Sequence, residues 1–289
     1  MSLAVDAHGV VARRGQRVVI DRAHFTVPAA AVTAVIGPNG SGKSTLLYLI
    51  AGLLQPSAGS HLTVLDGPAG SQRERVSLVL QSTDVSARLP VTVREVVAMG
   101  RYARRGMLGW SRPGDRDIDR RAVDDAMERL EVDTLANRQV NELSGGQRQR
   151  VFVAQGLAQQ AQLLLLDEPV TGLDMVSRQR ILEVTRDEAD RGTAVVMTTH
   201  DLNEAADADH VLLLTGGRVV QGPPDAVLVT DVLREAYGGR LLVMEADRTV
   251  VVDDPHHHGT PSSGGASSGG LWRRDVEHSG GDDGHDHSH

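Results

Sequence analysis

The stretch that decides the fold reads VTAVIGPNGSGKST and occupies residues 32–45. Its first five residues are apolar or β-branched, which predicts a buried strand, and the residues from Thr45 to Leu53 predict a helix. The loop between them has the pattern G-x-x-x-x-G-K-[ST], in which glycines let backbone N–H groups turn towards phosphate oxygens. The following helix adds a positive dipole end. We therefore expect nine residues to bind a nucleotide: Gly37, Pro38, Asn39, Gly40, Ser41, Gly42, Lys43, Ser44 and Thr45.

On the C-terminal side of this stretch, further strand-like runs alternate with helix-like ones. The runs are Val76–Leu80, Leu163–Leu166, Ala194–Thr198 and Val211–Leu214. This alternation predicts an α/β fold with a mostly parallel, doubly wound sheet and helices on both faces. Residues 94–157 contain no convincing strand, and Val93–Met99 and Arg121–Leu130 read as helices joined by a loop at residues 106–115. A helical insertion is therefore expected inside the α/β core.

The run Leu163–Leu166 ends in two carboxylates, Asp167 and Glu168. Burying two adjacent acids without a cationic partner is costly, so a metal ion held by the phosphate loop is the expected partner. We expect Lys43 to neutralise the β- and γ-phosphates, and Ser44 and Asp167 to hold Mg²⁺, the latter directly or through water. Glu168 is then positioned to polarise an attacking water as general base.

Residues 143–147 read Leu-Ser-Gly-Gly-Gln and open a helix-like segment. Ser144 and Gln147 have the spacing of a capping box, which by itself indicates only a helix start. Gly145 and Gly146 leave backbone N–H groups uncovered at the positive end of that helix, an arrangement that suits a γ-phosphate.

Composition excludes several classes of function. The chain has 289 residues, no cysteine, a formal net charge of −8 and 2% aromatic residues. Disulfides, a cysteine nucleophile and thiolate metal sites are excluded, and a nucleic-acid surface of basic patches and stacking rings is not expected. No apolar run reaches about 18 residues, and the N-terminus lacks a secretory pattern, so we expect a cytoplasmic location.

The last part of the chain differs sharply in composition from the rest. We place a domain over residues 1–238 and a flexible, disordered tail rich in His, Asp, Gly and Ser over residues 239–289, in which Leu241–Val252 could still form a strand or hairpin. Seven of the twelve histidines lie beyond residue 255, interleaved with aspartates. Imidazole and carboxylate suit zinc, nickel or copper(II), so the tail is either a metal buffer or sensor, or a solvated segment that binds metal incidentally. The candidate ligands are His256, His257, His258, His285, His287 and His289.

Taken together, these motifs resemble the ATP-binding subunit of an ABC transporter. Residues 37–45 match the Walker A motif, Gln81 the Q-loop, residues 143–147 the signature motif, and residues 163–168 Walker B. Gly172-Leu173-Asp174 matches the D-loop, and His200 the switch histidine. The resemblance covers about residues 3–238. It implies a P-loop NTPase (RecA-like) core, a small antiparallel β subdomain and an inserted α-helical subdomain at about residues 82–157.

The resemblance also implies a mechanism that needs two copies packed head to tail, each ATP lying between Walker A of one copy and the signature motif of the other. Ser144, Gly145 and Gly146 would serve the partner's nucleotide, and Gln147 and Asp174 are also expected to be nucleotide-binding residues. His200 would contact the γ-phosphate, and Gln81 would sense Mg²⁺ and link the site to the helical subdomain. The partners implied are a transmembrane permease on a separate chain and an extracytoplasmic solute-binding protein, which places this chain at the cytoplasmic face of the membrane.

One departure from the family concerns the nucleotide base. The family usually has an aromatic residue that stacks on adenine before the second strand, and here residues 11–15 read Val-Ala-Arg-Arg-Gly. Either Arg13 or Arg14 could stack its guanidinium on the base, or the base contact is weak.

The transported species has thinner support in the sequence. Residues 89–101 resemble ATPases of metal-ion and iron-chelate uptake, and residues 106–110 look more like the zinc/manganese branch. We expect import of zinc or manganese, with iron-siderophore or haem import as the rival. A soluble ABC ATPase acting on DNA or ribosomes would predict a second motif set or a basic face, and a P-loop kinase would leave residues 143–147 and His200 unexplained.

Overall fold

A six-stranded mixed sheet forms the centre of the fold. The computed structural model describes residues 2–81, 90–105, 115–238, 241–244 and 249–252, all within a compact unit over residues 1–253. The strands of the central sheet are β3 (Val32–Ile36), β6 (Val76–Val79), β7 (Leu163–Leu166), β8 (Ala194–Thr198), β9 (His210–Thr215) and β10 (Arg218–Gly222). Their order is β10-β9-β3-β8-β7-β6, and every neighbouring pair except β9 and β10 is parallel. The predicted mostly parallel α/β core is confirmed.

A second, antiparallel sheet carries the first part of the chain. It contains β1 (Leu3–Arg14), β2 (Arg17–Pro28), β4 (His61–Val64) and β5 (Gly67–Pro68) in the order β2-β1-β4-β5. The register of β1 against β2 shifts between Ala7 and Val10, where Gly9 has a φ of 59°. Shifts of this kind are β-bulges, which increase strand twist and re-aim the side chains that follow. The small antiparallel subdomain expected from the resemblance is present.

Eight α-helices lie in the described residues. They are α1 (Lys43–Ile50), α2 (Val93–Met99), α3 (Asp115–Arg129), α4 (Gly145–Ala158), α5 (Met175–Asp190), α6 (Leu202–Ala206), α7 (Pro224–Val227) and α8 (Thr230–Tyr237). The bounds of α2 match the prediction, whereas α3 begins earlier than Arg121. Helices α2, α3 and α4 follow β6 and precede β7 in the chain, and they pack on one another. The predicted helical insertion is confirmed.

Two hydrophobic cores lie on opposite faces of the central sheet. Alternate residues of β7 contribute to them, with Leu164 and Leu166 in one core and Leu163 and Leu165 in the other. The first core contains residues of α2 to α6, and the second contains α1 and the antiparallel sheet. Strands buried on both faces read as continuous apolar runs because neither face meets water.

Beyond α8, two short strands pair as a hairpin. They are β11 (Leu241–Met244) and β12 (Thr249–Val252), joined in an antiparallel register. The predicted hairpin is therefore present, while the domain boundary at residue 238 stays a prediction. The predicted loop at residues 106–115 falls almost wholly outside the described residues, as do the tail histidines beyond residue 255. Among the described helices, we find none with the length and apolar character needed to cross a bilayer.

Candidate functional site

The phosphate loop occupies the turn between β3 and α1, as predicted. Gly37 has a φ of 145°, and a Cβ there would lie 2.3 Å from the carbonyl oxygen of Leu214. Gly42 has a φ of 110°, and a Cβ there would lie 2.7 Å from Val19 Cγ1. The loop path therefore needs glycine at both ends for conformation and for space.

Donors are concentrated where the loop meets α1. Gly42 precedes the helix and supplies no side-chain cap, so the N–H groups of the first turn have no intrahelical acceptor. Lys43 Nζ donates to the carbonyl oxygens of Gly37 at 2.8 Å and Pro38 at 3.4 Å. Ser41 Oγ is buried and has no hydrogen-bond partner among the described residues. This arrangement suits an anion with several oxygens.

A cavity of about 400 Å³ opens above the loop. The phosphate loop and the first turn of α1 contribute Asn39, Gly40, Gly42, Lys43, Ser44 and Thr45 to its wall. The β1–β2 hairpin contributes Arg14, Arg17 and Val19, and Glu168 closes another side. Seven of the predicted site residues are thus brought to one cavity, together with two arginines.

The carboxyl ends of three adjacent strands meet beside this cavity. Asp167, which is 5% exposed, accepts a hydrogen bond on Oδ1 from Thr198 Oγ1 at 2.8 Å. Thr198 Oγ1 also accepts from the backbone N–H of Glu168 at 2.7 Å. Gln81 Nε2 donates to Glu168 Oε2 at 2.6 Å, so the predicted Q-loop residue reaches the predicted base directly. The structure thus links Gln81, Asp167 and Glu168 through side-chain contacts.

His200 lies in the turn between β8 and α6, with an anchored residue on each side. Thr199 Oγ1 donates to Glu204 Oε2 and accepts from the N–H of Asp201 at 3.0 Å. Arg178 on α5 forms ion pairs with Asp201 and with Glu204, the latter at 2.9 Å. Burial raises the pKa of Glu204. These contacts hold the backbone around His200 between two helices.

The sequence motifs did not indicate four residues of this region: Arg178, Thr198, Thr199 and Glu204. One signal was available, because Asp201 and Glu204 have the spacing of a helix N-cap and its third helical residue. Asp201 indeed caps α6 through the N–H of Asn203 at 2.8 Å. The contacts to Arg178 join segments 23 residues apart, which no local pattern indicates.

The predicted signature residues form the start of α4. Ser144 and Gln147 make both hydrogen bonds of the predicted capping box. A Cβ on Gly146 would lie 2.4 Å from Asp174 Oδ2 and 2.5 Å from Ser177 Oγ, so this glycine packs closely on the start of α5. Asp174 caps α5, and the backbone N–H of Ser177 lowers its pKa. The described wall of the cavity includes neither this cluster nor Asp174.

Comparisons with known proteins agree on one class of protein. The family model described as ABC transporter matches residues 20–171. The manganese transport system ATP-binding protein MntB of Listeria monocytogenes is 35% identical over 235 residues, which are 81% of this chain and 96% of that protein. The zinc transport system ATP-binding protein TroB of Treponema pallidum is 40% identical over 217 residues, 74% and 79% of the two chains.

Two further similar proteins are named for hemin or metal-chelate transport. The hemin import ATP-binding protein HmuV of Nocardia farcinica is 43% identical over 241 residues, 79% of this chain and 80% of that protein. A solved structure of a metal-chelate type ABC transporter in an inward-facing conformation superimposes with a TM-score of 0.73 at 25% identity, covering 88% of this chain and 99% of the other.

Proposed function

Since the chain belongs to the family of ABC transporter ATP-binding subunits, we propose that it powers the import of a divalent metal ion, zinc or manganese. The chain is an ATPase and the ATP-binding subunit of an import system.

The observation that carries the catalytic part is the contact between Gln81 and Glu168 beside the phosphate loop. We assign the phosphates to Lys43 and the N–H groups of the loop, and the activation of water to Glu168 as general base. His200, anchored on both sides, holds the γ-phosphate end of the site in register. Gln81 couples Glu168 to the helical subdomain that follows it in the chain.

The oxygens of Ser44 and Asp167 fit Mg²⁺, which prefers such ligands. Asp167 is a buried carboxylate at the edge of the site that accepts a hydrogen bond from Thr198 Oγ1. A cation nearby would offset its charge. When bound, Mg²⁺ supplies charge neutralisation at the β- and γ-phosphate oxygens. Ser44 and Asp167 would hold the ion, with Gln81 close to it.

Three partners belong to the proposal: a second copy of the chain, a permease and a solute-binding protein. Ser144, Gly145, Gly146, Gln147 and Asp174 form a cluster away from the cavity wall of their own chain. We assign this cluster to the nucleotide of a second copy packed head to tail, because helix N-terminal N–H groups would there face a γ-phosphate. A transmembrane permease on a separate chain and an extracytoplasmic solute-binding protein complete the proposed system, with this chain at the cytoplasmic face of the membrane.

Support for zinc or manganese comes from relatives named for these ions. An iron-siderophore or haem importer is the second candidate, because the relative named for hemin import and the metal-chelate type structure are also similar. Both candidates use the same ATP site, so only the transported species separates them.

The catalytic assignment is tested with Glu168→Gln, which keeps the shape of the side chain and removes its basicity. We expect ATP binding to be retained and the hydrolysis rate to fall about 100-fold or more. Glu128→Gln, at an exposed position on α3, is the matched control and should leave the rate unchanged. Normal hydrolysis by Glu168→Gln would contradict the assignment of the base.

The transported ion is tested by elemental analysis of cells grown under metal limitation, comparing wild-type cells with Glu168→Gln cells. A selective deficit of zinc or manganese supports the proposal and identifies the ion. An iron deficit would favour the second candidate, and an excess of one metal would indicate export.

A further inference from the structure

The turn between β1 and β2 places two arginines over the phosphate loop. Arg14 and Arg17 are directly opposite each other in the β ladder. Opposed residues of an antiparallel pair project to the same side of the sheet, and both of these side chains line the nucleotide cavity. Arg13 pairs with Val18, one step along the same register, so its side chain leaves the opposite face.

A tyrosine on α1 orients one of these arginines. The guanidinium carbon of Arg14 lies 5.6 Å from the centroid of the Tyr48 ring. A guanidinium over an aromatic face is held by cation–π attraction and by stacking of two planar groups. Arg14 belongs to the cavity wall, whereas Tyr48 is half-buried behind it. Arg14 therefore both contacts the Tyr48 ring and lines the cavity.

The position of the phosphates leaves only one part of the cavity for the base. Lys43 and the first turn of α1 occupy one end, so a nucleotide bound there extends its base towards the hairpin. The hairpin wall consists of Arg14, Arg17 and Val19. Of these, Arg14 carries a planar group that an aromatic ring supports, while Val19 supplies apolar contact.

We propose that Arg14, supported by Tyr48, is the residue that stacks on the nucleotide base. This inference rests on the proposed ATP binding and adds the selectivity of the site for the nucleotide base. Stacking on a π-face does not distinguish one purine from another, since every base has such a face. The site should therefore bind ATP and GTP with dissociation constants within about tenfold of each other, and recognise a purine nucleotide over its phosphate chain alone.

The test measures binding of two ligands to the full chain by calorimetry: a non-hydrolysable ATP analogue and inorganic tripolyphosphate, each with Mg²⁺. We expect Arg14→Ala to raise the Kd for the analogue about tenfold, within the range of cation–π and stacking contacts, and to leave the Kd for tripolyphosphate unchanged. Arg13→Ala is the matched control, because the same residue type is removed from the other face, and it should change neither value.

Two further variants separate planarity from charge. Arg14→Lys keeps the positive charge and loses the planar guanidinium group. It should therefore weaken binding of the ATP analogue nearly as much as Arg14→Ala does. Tyr48→Leu keeps an apolar side chain and loses the supporting ring. It should raise the Kd for the analogue by a smaller factor and leave the Kd for tripolyphosphate unchanged.

Four results would overturn the inference. They are equal weakening of both ligands by Arg14→Ala, full rescue by Arg14→Lys, an effect of Arg13→Ala as large as that of Arg14→Ala, and more than 100-fold discrimination between ATP and GTP. Failure of the proposed function is distinguishable, because the wild-type protein would then bind neither the analogue nor tripolyphosphate, and the inference would fall with it.

Discussion

At the scale of single residues, the hydroxyl group of Thr198 satisfies two neighbours at once. It donates to the buried carboxylate of Asp167 and accepts from the backbone N–H of Glu168. Glu168 has a φ of 47°, a left-handed conformation that costs free energy for a residue with a side chain. Thr198 therefore fixes the carboxylate of Asp167 and the backbone of Glu168, and it supports the left-handed conformation of Glu168.

Thr198→Val is a test of this role, because valine has the shape of threonine without the hydroxyl group. We expect the free energy of unfolding to fall by about 1–3 kcal/mol, since a buried carboxylate and a backbone N–H both lose a partner. Urea denaturation measures the loss. Thr198→Ser retains the hydroxyl group and should recover most of the stability, so equal losses in the two variants would contradict the hydrogen-bond argument.

The sequence predicted the site residues that belong to local motifs. It did not predict which arginine faces the cavity, because that depends on the register of β1 against β2. Lys43 and Ser44 belong to the loop pattern that follows β3, Glu168 follows the end of β7, and all three line the cavity. The choice between Arg13 and Arg14 stayed open because β1 contains register shifts, which reset the alternation of side chains. Only the ladder reveals that Arg14 lies opposite Arg17 and therefore faces the cavity.

At the scale of secondary-structure elements, the close packing of α4 on α5 depends on one glycine. Gly146→Ala would place a Cβ against Asp174 and Ser177, whereas Gly145→Ala meets no atom within 4 Å. We expect Gly146→Ala to lower the free energy of unfolding by about 1–3 kcal/mol, and Gly145→Ala to change it by less than about 0.5 kcal/mol. Thermal unfolding compares the two variants, and equal stabilities would contradict the predicted clash.

The start of α2 should give stability a local pH dependence. The backbone N–H and hydroxyl group of Thr92 both donate to Glu95 and lower the pKa of its carboxyl group below the ordinary value of 4.5. The ionised form is thus favoured in the folded state. Its stabilising contribution is complete above pH 4.5 and is lost as the pH falls through the folded-state pKa.

The measurement is the difference in urea midpoint between the wild-type protein and Glu95→Gln at neutral pH and below pH 4. Glutamine can form the capping box without charge, so the wild-type advantage at neutral pH should shrink in acid. Glu128→Gln serves again as an exposed control. A constant difference for Glu95→Gln across this range would contradict the assignment.

Among the elements, the sequence predicted those that are buried on both faces. Strands β3, β7 and β8 are short runs of four or five residues that are buried throughout, and each was predicted from its apolar sequence. Strands β1 and β2 escaped residue-level prediction because exposed polar residues and bulges interrupt their alternation. Strand β10 was missed since most of it is exposed at the sheet edge.

At the scale of the whole molecule, histidines are divided between the folded unit and the tail. His8 lies with its ring centroid 5.8 Å from that of His24 and 6.2 Å from that of His61 on the antiparallel sheet. In the part of the chain that the structure describes, no group of three or more His, Asp or Glu side chains is arranged to hold a metal ion. Because seven of the twelve histidines lie beyond residue 255, we predict that metal binding outside the ATP site depends on the tail.

This division predicts the outcome of two full-chain variants in zinc equilibrium dialysis. Replacing His256, His257, His258, His285, His287 and His289 with alanine should remove most of the zinc bound per chain, because imidazole is the main ligand available without cysteine. Replacing His8, His24 and His61 with alanine is the matched control and should leave zinc binding unchanged. The opposite result would exclude the tail as a metal buffer or sensor.

The two hydrophobic cores share the strands between them, and this sharing has a consequence for hydrogen exchange. Each amide of β3 and β7 lies in a ladder with neighbours on both sides, under side chains that alternate between the cores. Opening such a strand exposes both cores together, so its amides should exchange with deuterium only through global unfolding. Amides of β10, at the edge of the sheet and largely exposed, should exchange first among the strands of the central sheet. The amides of β3 and β7 would then share one protection factor, as expected if the two cores unfold as a single cooperative unit.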